Sequence, residues 1–429
     1  LQTMNDTITC DTDISVSTPA TAKPGFYERL FMLSLKPFVH GGLRMVHPDG
    51  RAHVLGEHGA AVTAEMRIRS RDFFKRCALF GNVGFGEAYV DGDWETDDIA
   101  AVIEWFILNL SKTQGSRSSS GKVAFVNLLN FVNRMQHLLR PNSVRTSRRN
   151  IAEHYDLGNE FYSLWLDETM TYSAARFEHP GQPLADAQYS KYEALCQKLQ
   201  LKPGDHVLEI GCGWGGFSCH AAKHHGCRIT AVTISQEQLK YATERVAREG
   251  LTDQVEIRLQ DYRHITGQFD KIASIEMLEA VGDKYLETYF AKCAEVLKPE
   301  GLLAFQMITV ADCQHKDLRK GVDWIQKHIF PGSLLLSVGR VNEAINRTSE
   351  LFMHGLEDLG ASYAKTLRVW FERFNARISD MKALGFDDRF VRKWNFYLQY
   401  CEAAFASRNI SVVQAVYTRP NNTTLHRTF

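Results

Sequence analysis

No run of about 18 consecutive apolar residues occurs in this 429-residue chain, so nothing in it reads as a membrane span. The first residues carry Asp6, Asp11 and Asp13 and no apolar core, which excludes a secretory signal there. The nine cysteines are odd in number and form no CxxC pair, so neither a disulfide framework nor a metal site is expected, and a reducing, cytoplasmic setting fits better. Net charge is also lacking: 50 basic residues balance 50 acidic ones, so no global attraction to a polyanion is implied. No fixed-period repeat and no nucleic-acid recognition motif stands out.

What is present divides into four stretches. Residues 1–25 are polar and Thr/Ser-rich and read as a disordered tail. Residues 26–110 read as a small α+β domain. Within it, residues 43–53 and 61–68 alternate like strands, residues 71–77 start a helix, and Gly81, Gly84 and Gly86 predict a loop before the turn at Asp91-Gly92-Asp93-Trp94. Residues 111–145 read as a basic linker with an amphipathic helix over 123–140. No acid falls between Ser111 and Ala152, against eight bases. Such a segment predicts docking on an anionic membrane surface, or, on the plainer reading, a solvated linker. Residues 146–429 form the largest unit, with a mostly helical insertion expected over about 311–409.

From His206 onward strand-like and helix-like segments alternate, which predicts a Rossmann-like α/β domain with a parallel sheet. Its first strand ends in Glu209-Ile210-Gly211-Cys212-Gly213-Trp214-Gly215-Gly216. The glycines at 211, 213 and 215 let the backbone turn sharply and approach a ligand. The pattern is not the dinucleotide fingerprint, and the carboxylate that a nicotinamide site wants after the second strand is replaced by Thr233 and Gln238. Those neutral groups suit a ribose on a small cationic cofactor. Glu209 is then placed to face that cation, and Gln260, Asp261 and Tyr262 after the third strand suit an adenine.

Several separate motifs resemble the cyclopropane-fatty-acyl-phospholipid synthase family of class I methyltransferases. They are His154-Tyr155-Asp156-Leu157-Gly158-Asn159, Met170-Thr171-Tyr172-Ser173, the glycine loop with Trp214, Leu259-Gln260-Asp261-Tyr262-Arg263, and Lys327-x-Ile329-Phe330-Pro331-Gly332. The resemblance covers most of residues 40–420. It implies S-adenosylmethionine (SAM) as cofactor, with Tyr155 and Ser173 joining the residues above. It also implies methyl transfer to the double bond of a phospholipid acyl chain at a membrane surface, helices over the sheet as acyl pocket, and a homodimer.

In that family the base is a bicarbonate held by a cysteine, a glutamate, a histidine, a tyrosine and backbone. The resemblance assigns the glutamate to Glu279, the tyrosine to Tyr363 and the backbone contact to Ile308. Two positions depart: Ala174 stands for the cysteine and Gln306 for the histidine. Gln306 can donate a hydrogen bond to an anion but carries no charge, and alanine makes neither contact. Bicarbonate binding is therefore expected to be weakened or lost, with Glu279 as base if burial raises its pKa. The product is a cyclopropane or a methylene- or methyl-branched chain. Trp324, Tyr363, Trp370, Phe371 and Phe374 are the candidate aromatic faces for the cationic intermediate. A soluble amine acceptor is the alternative substrate class, and a protein that binds without catalysis is a third reading.

Overall fold

The computed structural model describes residues 23–36, 38–114, 157–319 and 321–425. The polar tail to residue 22, most of the basic segment with its expected 123–140 helix, and Tyr155 lie outside the described residues.

The N-terminal unit opens with helix Phe26–Leu35 and holds a four-stranded sheet of β1 (Gly42–Val46), β2 (Ala52–Gly56), β3 (Val62–Ile68) and the two-residue β4 (Trp94–Glu95), in the order β2-β1-β3-β4. β3 alternates in burial, so Ala64, Met66 and Ile68 form one apolar face. Helices Asp72–Val90 and Ile99–Gln114 belong to the same unit.

The glycines at 81, 84 and 86 do not form a loop. They lie within helix Asp72–Val90, which kinks at Gly81, where φ is 55° and ψ −131°. Their role is close packing. A Cβ on Gly86 would lie 2.5 Å from the Trp324 ring, so absence of a side chain lets this helix seat against helix Trp324–His328.

The larger sheet has seven strands: β5 (His206–Ile210), β6 (Arg228–Thr233), β7 (Val255–Leu259), β8 (Phe269–Ile275), β9 (Leu297–Val310), β10 (Phe352–Asp358) and β11 (Ile410–Thr418). Their order is β10-β11-β9-β8-β5-β6-β7. Pairs from β7 through β9 are parallel, and β11 joins both β9 and β10 antiparallel. The central strands are buried on both faces, as their near-continuous apolar runs dictate. The order reverses between β5 and β8, and the crevice at their carboxyl ends is where such sheets bind ligands.

The 311–409 stretch is not all helix. It contributes helices Val338–Thr348, Gly360–Ala376 and Asp388–Ala406, but also β10, which completes the sheet edge. β10 has no buried residue, so it lacks the apolar run that marks the central strands. One continuous core runs from Phe31 and Trp94 in the N-terminal unit to Trp370, Trp394 and Phe405 of the helical layer. The smaller sheet is thereby fixed to the layer that roofs the crevice.

Candidate active site

A single cavity of about 2440 Å³ opens over the carboxyl ends of β5 and β8. Drug-sized ligands fill roughly 300–1,000 Å³, so this space has room for a cofactor and a long chain together.

Ser173, Glu209, Gly211, Gly213, Thr233, Gln238, Gln260, Asp261 and Tyr262 all line it. Gly211 has φ 84°, and a Cβ there would meet Met277 at 2.8 Å. The N–H groups of Gly211 and Cys212 both donate to the Val232 carbonyl, which ties the loop to β6. Gly215 does not line the cavity. It sits at the start of helix Gly216–His225 with φ 80° and backs onto Ala242, so its service is to packing.

Glu209 is buried at the end of β5 and accepts from the Ser218 hydroxyl. Burial pushes its carboxyl up to about 8, against the pull of Ser218 and the Lys191 charge. Lys191 is fully buried, donates to Ser173 Oγ at 2.9 Å, and is drawn down to about 7 by loss of hydration. A carboxyl held out of water and short of positive charge fits a cationic ligand. On the other side of the site, Thr233 Oγ1 donates to Gln238 Oε1 at 2.8 Å, and Asp261 is buried with Oδ1 on the Arg263 N–H. Gln260 spends its amide on the His264 carbonyl at 2.7 Å.

The residues expected around a bicarbonate are arranged otherwise. Ala174 and Gln306 are fully buried and do not line the cavity. Between them and the open space stands Glu276, which sequence reasoning passed over. Glu276 Oε1 accepts from the Ala174 N–H at 2.8 Å and from Gln306 Nε2 at 2.7 Å, and Oε2 accepts from the Tyr363 hydroxyl at 3.1 Å. Gln306 is fully committed: its Nε2 also reaches the Ala174 carbonyl, and its Oε1 accepts from Gln414. It therefore holds a carboxylate of the protein and has no free donor for an outside anion. A carboxylate that accepts three hydrogen bonds near Lys191 nonetheless has its pKa raised, because burial outweighs them.

Glu276 also sits in an unusual conformation. Its φ is 48°, a left-handed value that non-glycine residues rarely adopt and that costs about 1–3 kcal/mol. The turn after β8 is strained, and the strain places a carboxyl at the switch point.

Glu279, one helical turn on, accepts the Ile308 N–H at 2.5 Å, so the backbone donor foreseen for bicarbonate is taken as well. Burial, reinforced by the charge of Glu276, pushes Glu279 up to about 8. One of its oxygens is spent on the backbone of β9. Of the aromatic candidates only Tyr363 lines the cavity. Trp324, Trp370 and Phe374 are buried in the core, and Phe371 lies outside the lining. The aromatic wall is built instead by Tyr172, Phe330, Tyr397, Tyr400 and Phe405.

Comparison with known proteins shows the family. The mycolic acid cyclopropane synthetase family profile matches residues 142–415. The chain belongs to that family. It is 37% identical over 393 residues to a tuberculostearic acid methyltransferase of Mycobacterium tuberculosis, covering 87% of each chain. It is 38% identical over 359 residues to the cyclopropane-fatty-acyl-phospholipid synthase of Escherichia coli, covering 83% of this chain and 88% of that one. A crystal structure of a mycolic acid cyclopropane synthase complexed with S-adenosylhomocysteine (SAH) and CTAB superposes with a TM-score of 0.59 at 27% identity, over 63% of this chain and 98% of the other. The family member described here is thus a SAM-dependent methyltransferase of the lipid-modifying kind with a class I fold. Bound SAM supplies an electrophilic methyl group on a sulfonium.

Proposed function

We propose that this enzyme methylates the double bond of an unsaturated phospholipid acyl chain, with Glu276 as its resident base in place of bicarbonate, and releases a methylene-branched chain. The observation that carries the reading is the Glu276 carboxylate, bonded to Ala174, Gln306 and Tyr363, the very positions at which the family resemblance puts an external anion.

In chemical terms, the π pair of the double bond forms a bond to the methyl carbon while the sulfur keeps the electrons of the breaking bond. The remaining chain carbon becomes cationic. Tyr172, Tyr397 and Phe405 line the cavity and supply the aromatic rings that shelter that charge. A 1,2-hydride shift moves the charge to the carbon that carries the new methyl. Glu276 then takes a proton from that methyl, and the freed C–H pair closes the exocyclic double bond. A base with a raised pKa is matched to this task at neutral pH.

Glu209, Ser173, Thr233, Gln238, Gln260, Asp261 and Tyr262 hold the cofactor in this account, with Glu209 on the cationic end. Bilayer lipid reaches the cavity at its mouth beside helix Phe26–Leu35. Phe26, Leu30, Leu33 and Leu318 line the same cavity and are exposed, Phe26 by 74%. Exposed apolar side chains grouped at a mouth suit contact with lipid. Among the described residues no helix is long and apolar enough to cross a membrane, so the attachment proposed is peripheral.

The test is mass spectrometry of monounsaturated phospholipid vesicles after incubation with SAM, with and without bicarbonate. A gain of one CH2 unit that hydrogenates to a methyl branch, equal in both conditions, is expected. A gain that resists hydrogenation and depends on bicarbonate overturns the reading.

A further inference from the structure

Outside the catalytic cavity, helix Leu184–Lys198 packs beside helix Gly216–His225. The inner face of the first helix supplies Lys191 and Tyr192 to the cavity wall. Glu193, half-buried, and Cys196, fully buried, lie three residues apart and therefore on one side of the same helix. The second helix presents His220 and His225 to them. Cys196 Sγ and a ring nitrogen from each histidine lie within 4.8 Å of one another.

We propose that Cys196, His220 and His225 bind a zinc ion, with Glu193 as the carboxylate that orients both imidazoles. The donor set is one that zinc takes: a thiolate and two imidazole nitrogens, leaving a fourth position for water. Zinc ligands sit about 2.0–2.3 Å from the ion, so neighbouring donors lie roughly 3.3–3.7 Å apart and the three groups need draw together by only about 1 Å.

The arrangement around the trio supports a metal. Glu193 Oε2 accepts from Nε2 of His220 at 3.2 Å and from Nε2 of His225 at 3.0 Å. A carboxylate that receives the second ring nitrogen of a ligating histidine is the usual outer partner of such sites. With its Nε2 proton donated to Glu193, His220 is left with an Nδ1 lone pair that is buried and has no hydrogen-bond partner. The His220 side chain is 8% exposed and that of His225 18%, so the trio is sheltered yet reachable. Beside it a shallow surface cavity of about 400 Å³, lined by Glu193, His220 and His224, gives a path for the ion. On binding, the Cys196 thiol gives up its proton to solvent and no redox step is involved.

The ion would clamp together two helices that also contribute to the cofactor cavity wall. It is structural and takes no part in methyl transfer.

The test uses the full-length enzyme, freed of metal with a chelator and titrated with Zn2+ and, separately, Co2+. One equivalent of each is expected to bind. The Co2+ form should show a thiolate-to-metal absorption band and visible bands of tetrahedral intensity. Cys196→Ser and His220→Gln should abolish the thiolate band or weaken binding at least about a hundredfold, and Glu193→Gln should weaken it by about ten- to a hundredfold. Should the buried variants fail to fold, His225→Gln at the helix end reads the same loss. Absence of a thiolate band with Co2+, or zinc affinity unchanged in His225→Gln, overturns the proposal.

Discussion

At the scale of single residues, two carboxyls three positions apart are both raised by burial but are held by different partners. Glu279 is pushed up to about 8 and caps the Ile308 N–H. Glu276 is bonded by three donors and stands near Lys191. A protonated Glu279 resembles glutamine in shape and charge, so Glu279→Gln should leave turnover within about tenfold of the parent at pH 7, read by steady-state methyl transfer. A collapse comparable with loss of a general base, about 10²–10⁴-fold, would mean that Glu279 and not Glu276 takes the proton.

Glu209 supports a second prediction. Its folded pKa of about 8 leaves it protonated at pH 7, and a cationic ligand beside it favours the ionised form. Lys191, already drawn down to about 7, is pushed further toward neutrality by the same ligand. Both shifts have one sign, so SAM binding at pH 7 should release about one proton. Calorimetric titrations in two buffers of different ionisation enthalpy measure it, and a heat independent of buffer would contradict the assignment.

The sequence made much of this scale legible. The glycine loop and its acid, the neutral pair after β6 and the acid after β7 were readable because their order along the chain is the order of strand ends. Glu276 was not, although it stands in the same short motif as Glu279. Its meaning depends on Ala174 and Gln306, which are 102 and 30 residues away. Only the fold brings the three together.

At the scale of elements, the two units are held by a contact that the sequence did not signal. Glu87, on helix Asp72–Val90, accepts from His328 Nε2 at 2.9 Å and Lys327 Nζ at 2.8 Å. The hydrogen bond from His328, together with Lys327, holds the Glu87 carboxyl down to about 2. A depressed carboxylate contributes stability that is fully present above its unfolded pKa, near 4.5, and is lost as pH falls through that value toward 2. Glu87→Gln should therefore lower the melting temperature at pH 7 and have a smaller effect at pH 3. An equal drop at both pH values would show that the contact contributes nothing through charge.

Glycines 81, 84 and 86 look like a loop because their reason lies in another element, the Trp324 ring that Gly86 admits. β10, within the stretch expected to be mostly helical, was not singled out, because an edge strand without buried residues has no strong period of its own. Core aromatics such as Trp370 and Phe374 carry helical spacing, which fixes a packed face but not whether that face meets the cavity.

At the scale of the whole molecule, the fold joins a polar cofactor crevice to an apolar mouth. Zero net charge means that any bilayer contact is local. Phe26 and Leu33, at the mouth, are exposed by 74% and 54%. Phe26→Asp with Leu33→Asp should reduce flotation with phospholipid vesicles and lower turnover on vesicles several-fold, while turnover on detergent-dispersed lipid persists. Flotation equal to the parent would remove this face from lipid contact. The doubly wound architecture was legible from the alternation after His206, since a parallel sheet imposes that rhythm on the chain. The shared core between the small sheet and the roof was not, because it is made of contacts between residues some 300 positions apart, such as the Ile99 N–H on Gln399 Oε1.

The account rests above all on Glu276, and the most direct measurement is single-turnover formation of the methylene-branched product by Glu276→Gln, paired with SAM affinity, in buffer free of bicarbonate. SAM affinity unchanged and formation of that product slowed about 10²–10⁴-fold is the predicted result. Product formation at the parent rate would show that the proton leaves by another group.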